Sequence, residues 1–262
     1  MSIPTDTVLA DAAFGSAPAL WPLPAAATPR QRWLRAVAAG GQGRYASARA
    51  ELATLYSRGG REGSLACSTQ ASFLRQLGWH ETARAWDGRA LALAGPDPEA
   101  AADALIGLAA DALGVGRFGA SARALDRAAD RVADADEVRL QVREAWVAAE
   151  LAMARGQGSA AIGHAERAVD HAKAFGSARH TVKSAVVLAA ARCSAGDLDT
   201  ARAVADAALD DTQRLGMVPL QWALACLLTD IGSARHTTPA TAAIRDDCAD
   251  TVRRRGGVWS VR

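Results

Sequence analysis

The chain has 262 residues, half of them apolar, and 30 basic against 28 acidic side chains leave a net charge of +2. That is enough apolar surface for a sizeable core, while so small a charge excludes a global drive toward nucleic acid. Alanine is the commonest residue, asparagine is absent, and β-branched and aromatic residues are too sparse for period-two alternation, so propensity and pattern both predict an all-α protein.

Residues 1–28 carry Pro4, Pro18, Pro22 and Pro24 around Trp21 and show helical periodicity only near Thr7 to Phe14. They read as an N-terminal tail; Leu20, Trp21 and Leu23 also suit a cover for the end of the first hairpin, which terminal repeats of solenoids require. From 29 to 255 the pattern predicts one repeat domain of six antiparallel helix pairs: 30–41 with 44–58, 63–77 with 79–94, 98–115 with 117–132, 137–155 with 158–174, 179–194 with 198–214, and 218–231 with 239–255. Pro239 suits the first turn of the last helix, and residues 256–262 read as a C-terminal tail.

A glycine turn joins the helices of the first five pairs, at Gly43, Gly78, Gly116, Gly156 and Gly196. Five residues after each glycine stands a small side chain: Ala48, Ala83, Ser121, Ala161 and Ala201. These anchors lie 35, 38, 40 and 40 residues apart, a period that points to stacked hairpins, because one hairpin alone cannot bury its apolar face.

Charge is unevenly placed. Residues 30–61 hold seven arginines against Glu51 alone, whereas 197–211 hold five aspartates against Arg202. Cys67, Cys193, Cys226 and Cys248 are far apart with no Cys-x-x-Cys pair and read as small core residues; His164 and His171, seven apart, are too distant to share one zinc without help. No metal or cofactor site is expected, nor catalytic residues, since no paired carboxylates, activated nucleophile or phosphate loop appears. No Lys or Arg precedes Arg30 and no apolar run nears the roughly 20 residues that span a bilayer, which predicts a cytoplasmic protein without a membrane partner.

The string Gly78-Trp79-His80-Glu81-Thr82-Ala83 with Ala90 seven residues later, Gly156 to Ala161 with Ala168, and Gly196-Asp197-Leu198-Asp199-Thr200-Ala201 with Ala208 follow one pattern of turn and small residue. It resembles the tetratricopeptide repeat, over about Thr28 to Arg255. Repeats lengthened to about 40 residues, with Phe175-Gly176-Ser177 between pairs, resemble more specifically the helical repeat region of bacterial MalT-type and LuxR-type regulators, without their NTPase and DNA-binding domains. The resemblance implies a right-handed superhelical solenoid and a non-enzymatic protein–protein interaction scaffold.

The family register further implies that the first helix of each pair faces a concave groove. Groove-facing candidates are then Arg30, Trp33 and Val37; Ser68, Ser72, Arg75 and Gln76; Asp103, Ile106 and Ala110; Arg143, Trp146, Glu150 and Met153; and Lys183, Val186 and Ala190. Trp33 and Trp146 read either as core or as partner anchors, while Arg75, Arg143 and Lys183 form a cationic track, interrupted by Asp103, that suits an acidic segment of a protein partner. The leading expectation is a regulatory scaffold binding a peptide or helix in this groove. A sensor enclosing a signalling peptide or small molecule is the alternative, favoured if the groove is a deep pocket. Nucleic-acid binding through the arginine-rich N-terminal end and Arg253-Arg254-Arg255 with Trp259 is a third, disfavoured reading.

Overall fold

The computed structural model describes residues 4–260; residues 1–3 of the expected N-terminal tail and Val261 and Arg262 of the expected C-terminal tail lie outside them. The described residues are all-α, with no strand among them. A first helix α1 (Thr5–Phe14) precedes six pairs: α2 (Pro29–Gly41) with α3 (Tyr45–Ala53), α4 (Gly60–Gln76) with α5 (His80–Ala94), α6 (Pro98–Gly114) with α7 (Phe118–Ala135), α8 (Val138–Ala154) with α9 (Gly158–Phe175), α10 (Ala178–Ser194) with α11 (Leu198–Arg214), and α12 (Val218–Ile231) with α13 (Thr238–Arg254). Each helix packs on its pair partner, and the first helices of successive pairs also touch one another, α2 on α4 and so on to α10 on α12.

The same local device ends the first helix of each of the first five pairs. At Gly78 (φ 88°) and Gly196 (φ 84°) the backbone turns left-handed, and the next amide returns to a carbonyl five residues back: Trp79 N to Leu74 O at 2.9 Å and Asp197 N to Arg192 O at 3.0 Å. This closure satisfies orphan carbonyls at the helix end and requires a conformation that only glycine adopts cheaply. The small residues that follow sit where second helices press on first ones. Ala48, Ala83, Ser121, Ala161 and Ala201 are all fully buried, as are Ala90 and Ala168 one helical stretch later. Ala161→Leu should therefore overpack the contact between α8 and α9, lowering stability by roughly 1–3 kcal/mol in chemical denaturation. Wild-type stability in that variant would place Ala161 outside the interhelical contact.

The termini are built in rather than trailing. In α1, Leu9, Ala12 and Ala13 are buried against α2, and its C-terminal end reaches α10, where Ala178 N donates to Gly15 O at 3.1 Å. Beyond α1 the chain lies against the first pair: Leu23 is buried there with Leu20 packed beside it, and Gln42 Nε2 donates to Pro18 O (2.8 Å) and Leu20 O (2.9 Å). At the other end Gly256 to Ser260 form bonds instead of a tail. Trp79 Nε1 donates to Val258 O at 2.7 Å, Ser260 N to Leu77 O at 2.8 Å, and Trp259 lies on Trp222 with ring centroids 4.4 Å apart.

These contacts join the last pair to the first. Ala46 N donates to Arg255 O at 3.0 Å, Arg255 Nη1 to Gln42 O at 2.7 Å, and Gly43 lies against Val252 and Pro219. Each end thus covers apolar surface that a stacked array otherwise leaves open to water.

Two expectations on side chains change with this packing. Cys67 and Cys248 are buried, but Cys193 and Cys226 are only half-buried, being on helix faces that no neighbour fully covers; all four are free thiols. Of the C-terminal triplet, Arg255 bonds Gln42 O because the last helix folds back onto the first pair, whereas Arg253 and Arg254 stay exposed and bond Asp250 and Thr251 one turn back on their own helix. No described helix is long and apolar enough to cross a membrane, and no group of three His, Cys, Asp or Glu among the described residues could hold a metal ion.

Candidate functional site: a cavity inside the helix array

The inner helices α2, α4, α6, α8, α10 and α12 all contribute to one cavity of about 430 Å³, and Phe14 of α1 enters it as well. Of the residues expected in a groove, Trp33, Ser72, Arg75, Arg143, Trp146, Glu150 and Lys183 line it, together with Val37, Ser68, Gln76, Asp103, Ile106 and Ala110. Four do not. Arg30 is exposed at the first turn of α2, within the Thr28–Gln31 capping box, while Met153 and Val186 pack into apolar clusters between helices; Ala190 also lies off the cavity wall.

The cationic track does not stand free to meet an acidic segment. Arg75 sits between Asp87 and Asp111, with Asp111 Oδ1 at 2.9 Å. Both carboxylates are fully buried, and Asp87 also accepts from Ser68 Oγ at 2.8 Å. Burial pushes the Asp87 carboxyl up to about 7, against the pull of Arg75 and with Asp111 adding repulsion. Burial opposes the charge on Arg75 as well, yet the two flanking carboxylates hold its guanidinium above its ordinary value. Arg143 pairs with Asp103, and Lys183 Nζ lies 3.2 Å from Glu150 Oε1. Asp103 is therefore a partner of the track rather than a gap in it: α6 and α8 lie side by side and bring the two charges together.

Trp33 and Trp146 combine the two roles left open for them. Each lines the cavity while tying neighbouring inner helices, Trp33 Nε1 donating to Thr69 Oγ1 at 2.9 Å and Trp146 Nε1 to Ser184 Oγ at 2.8 Å. Satisfying the indole N–H in this way leaves the ring face as apolar wall.

Several lining residues lay outside the sequence expectation. Phe14 stands between Trp33 (centroids 5.4 Å apart), Phe175 (6.3 Å) and His180 (6.1 Å), with the guanidinium carbons of Arg139 and Arg179 each 5.7 Å from its ring. His180 stacks on Trp146 at 5.3 Å with rings 20° apart, and its Nδ1 lies 2.9 Å from Ser177 Oγ. Burial, then the charges of Arg179, Arg139 and Arg143, hold its ring well below the ordinary histidine value, so it is neutral at pH 7. Arg139 Nη2 bonds Glu99 Oε1 at 3.1 Å and its Nη1 approaches Asp103 Oδ1 at 3.3 Å. One signal in the chain pointed to these cations: Arg139 and Arg143 recur forty residues later as Arg179 and Lys183, on the same face of the next inner helix.

Chemically the cavity is an aromatic enclosure with guanidiniums in its wall, suited to holding a compact molecule. No protein-family model matches the chain, and no curated protein matches it.

Proposed function

We propose that this chain is a non-enzymatic ligand-binding module of the sensor type: a tetratricopeptide-like, right-handed solenoid curled until its concave face becomes a pocket for a small molecule or very short peptide. The observation that carries this reading is the convergence of six inner helices and Phe14 on one cavity of about 430 Å³, within the roughly 300–1,000 Å³ usual for small-ligand sites. An extended peptide or partner helix running along the groove fits less well, because α1 already lies against α2 and α10 and the last pair is bonded to the first. The chemistry of the wall supports binding over catalysis: the carboxylates nearest the cavity are each committed to a guanidinium or ammonium partner.

Ligand entry would be sensed through the contacts that close the pocket, since a molecule that binds only the closed arrangement stabilises it. The test uses Ala110→Trp, which places an indole in the cavity from α6. Thermal unfolding of wild-type and variant protein is followed across fractions of a metabolite extract after equal helicity is confirmed by circular dichroism. At least one fraction should raise the wild-type midpoint and leave the variant unmoved. Stabilisation of both proteins alike would locate binding outside the cavity, and a protein partner captured equally by both would return the function to the outer surface.

A further inference from the structure

Three neighbouring inner helices carry ionisable pairs at repeat-equivalent positions: Glu99 and Asp103 on α6, Arg139 and Arg143 on α8, and Arg179 and Lys183 on α10. The first two rungs neutralise each other. Arg139 pairs with Glu99 and Asp103, and Arg143 with Asp103, while Glu99 is shared in addition with Arg61. On the third rung Lys183 is matched by Glu150. Arg179 is not matched: its one hydrogen bond runs from Nη1 to Val37 O at 3.2 Å, and no carboxylate among the described residues stands within ion-pair distance of it.

Arg139, Arg143 and Arg179 thus bring three guanidiniums to one end of the cavity against two carboxylates. The C-terminal turn of α1 meets this end, but it offers only the partial charge of a helix terminus. A desolvated guanidinium without a counter-charge is unfavourable. Burial and the neighbouring Arg139 lower Arg179 to about 10, but burial lowers the paired Arg143 as far, so what sets Arg179 apart is the missing carboxylate. Beside it stand the apolar faces of Phe14, Trp33 and Trp146 and the neutral ring of His180.

We propose that the Arg179 end of the cavity is an anion-binding subsite, taking the carboxylate or phosphate headgroup of a small molecule whose apolar body lies against Trp33 and Trp146. The inference rests on the cavity reading above and adds the charge and shape of the ligand. A planar guanidinium fork matches either headgroup bidentately, and the arriving anion supplies the missing counter-charge in a site of low dielectric. The aromatic wall then selects for an apolar body over a bare ion.

The probes are benzoate and phenyl phosphate, with benzamide as the uncharged counterpart, titrated calorimetrically and by thermal unfolding. Wild-type protein should bind both anions at least tenfold more tightly than benzamide. Arg179→Met should lose that preference, while its ligand-free midpoint stays level or rises because an unmatched, half-buried charge is gone. Arg179→Gln, which keeps a polar donor, serves as the second variant and should lose the preference too. Ala110→Trp should bind none of the probes. Benzamide binding as tightly as the anions, an unchanged preference in the Arg179 variants, or no saturable anion binding to wild type overturns the subsite. If wild type shows no preference for the anions yet binds benzamide, and Ala110→Trp does not, the cavity reading survives while the anion subsite does not.

Discussion

Arg75→Met should lower stability by about 3–5 kcal/mol, the largest single-residue effect expected in this chain. The substitution keeps most of the side-chain volume and removes the one charge that stands between Asp87 and Asp111, two carboxylates with no solvent exposure. Urea unfolding measures the loss. The triple variant Arg75→Met, Asp87→Asn, Asp111→Asn should recover most of it, because the penalty comes from stranded charge and not from lost packing. A single-variant loss under about 1 kcal/mol would mean that the carboxylates reach water when the arginine is gone.

The same trio gives stability a pH dependence of definite sign. The Asp87 carboxyl titrates near 7 in the folded chain, above its ordinary value of 3.8, so the native state holds a proton that the unfolded state has released. Its contribution is complete below about 4 and is lost as pH rises through about 7, the direction opposite to that of an ordinary salt-bridged aspartate. Asp111, raised by burial as well, acts in the same direction. The wild-type midpoint should therefore fall between pH 4 and 7 on account of these groups, and Asp87→Asn should flatten that slope.

Phe14→Ala should cost about 2–3 kcal/mol, somewhat less than full core truncation because the ring is only partly buried. The residue anchors α1: its ring contacts Trp33, Phe175 and His180, and two guanidiniums flank it. The loss should be local as well as global. Amide hydrogen exchange over residues 5–14 should accelerate far more than in α6 or α8, since the helix retains only the short apolar face of Leu9, Ala12 and Ala13. Phe14→Leu should restore about half the stability. Unchanged protection of α1 in Phe14→Ala would show that its hold lies in those three residues alone.

The features legible in the chain are those decided within one hairpin. A left-handed glycine such as Gly78 lets the next amide reach the carbonyl five residues before it, and Ala161 or Ala201 acts on the helix directly opposite, so turn and small residue disclose the first five pairs and the facing of their first helices. That is why Ser72, Arg75, Arg143, Trp146 and Lys183 fall on the cavity wall as the pattern implies. Arg30 misses the wall because it stands in the first turn of α2, where the helix face drawn from the repeat has no neighbour to enclose it.

Tertiary structure alone decided the closure and the charge state of the interior. The bonds from Arg255 to Gln42 and from Trp79 to Val258 join residues about 200 positions apart, a separation that no local pattern encodes. Nor could α1 be placed from its own residues, because Phe14 finds its partners on α2, α9 and α10. Charge was visible but pairing was not. Whether an arginine recruits an outside anion depends on carboxylates delivered by neighbouring helices, which neutralise Arg75 and Arg143 and leave Arg179 unmatched. Composition and period thus determined the elements and their facing, through forces acting over a few residues, while the cavity and the unmatched positive charge at its Arg179 end arise only when distant helices meet and desolvate one another's side chains.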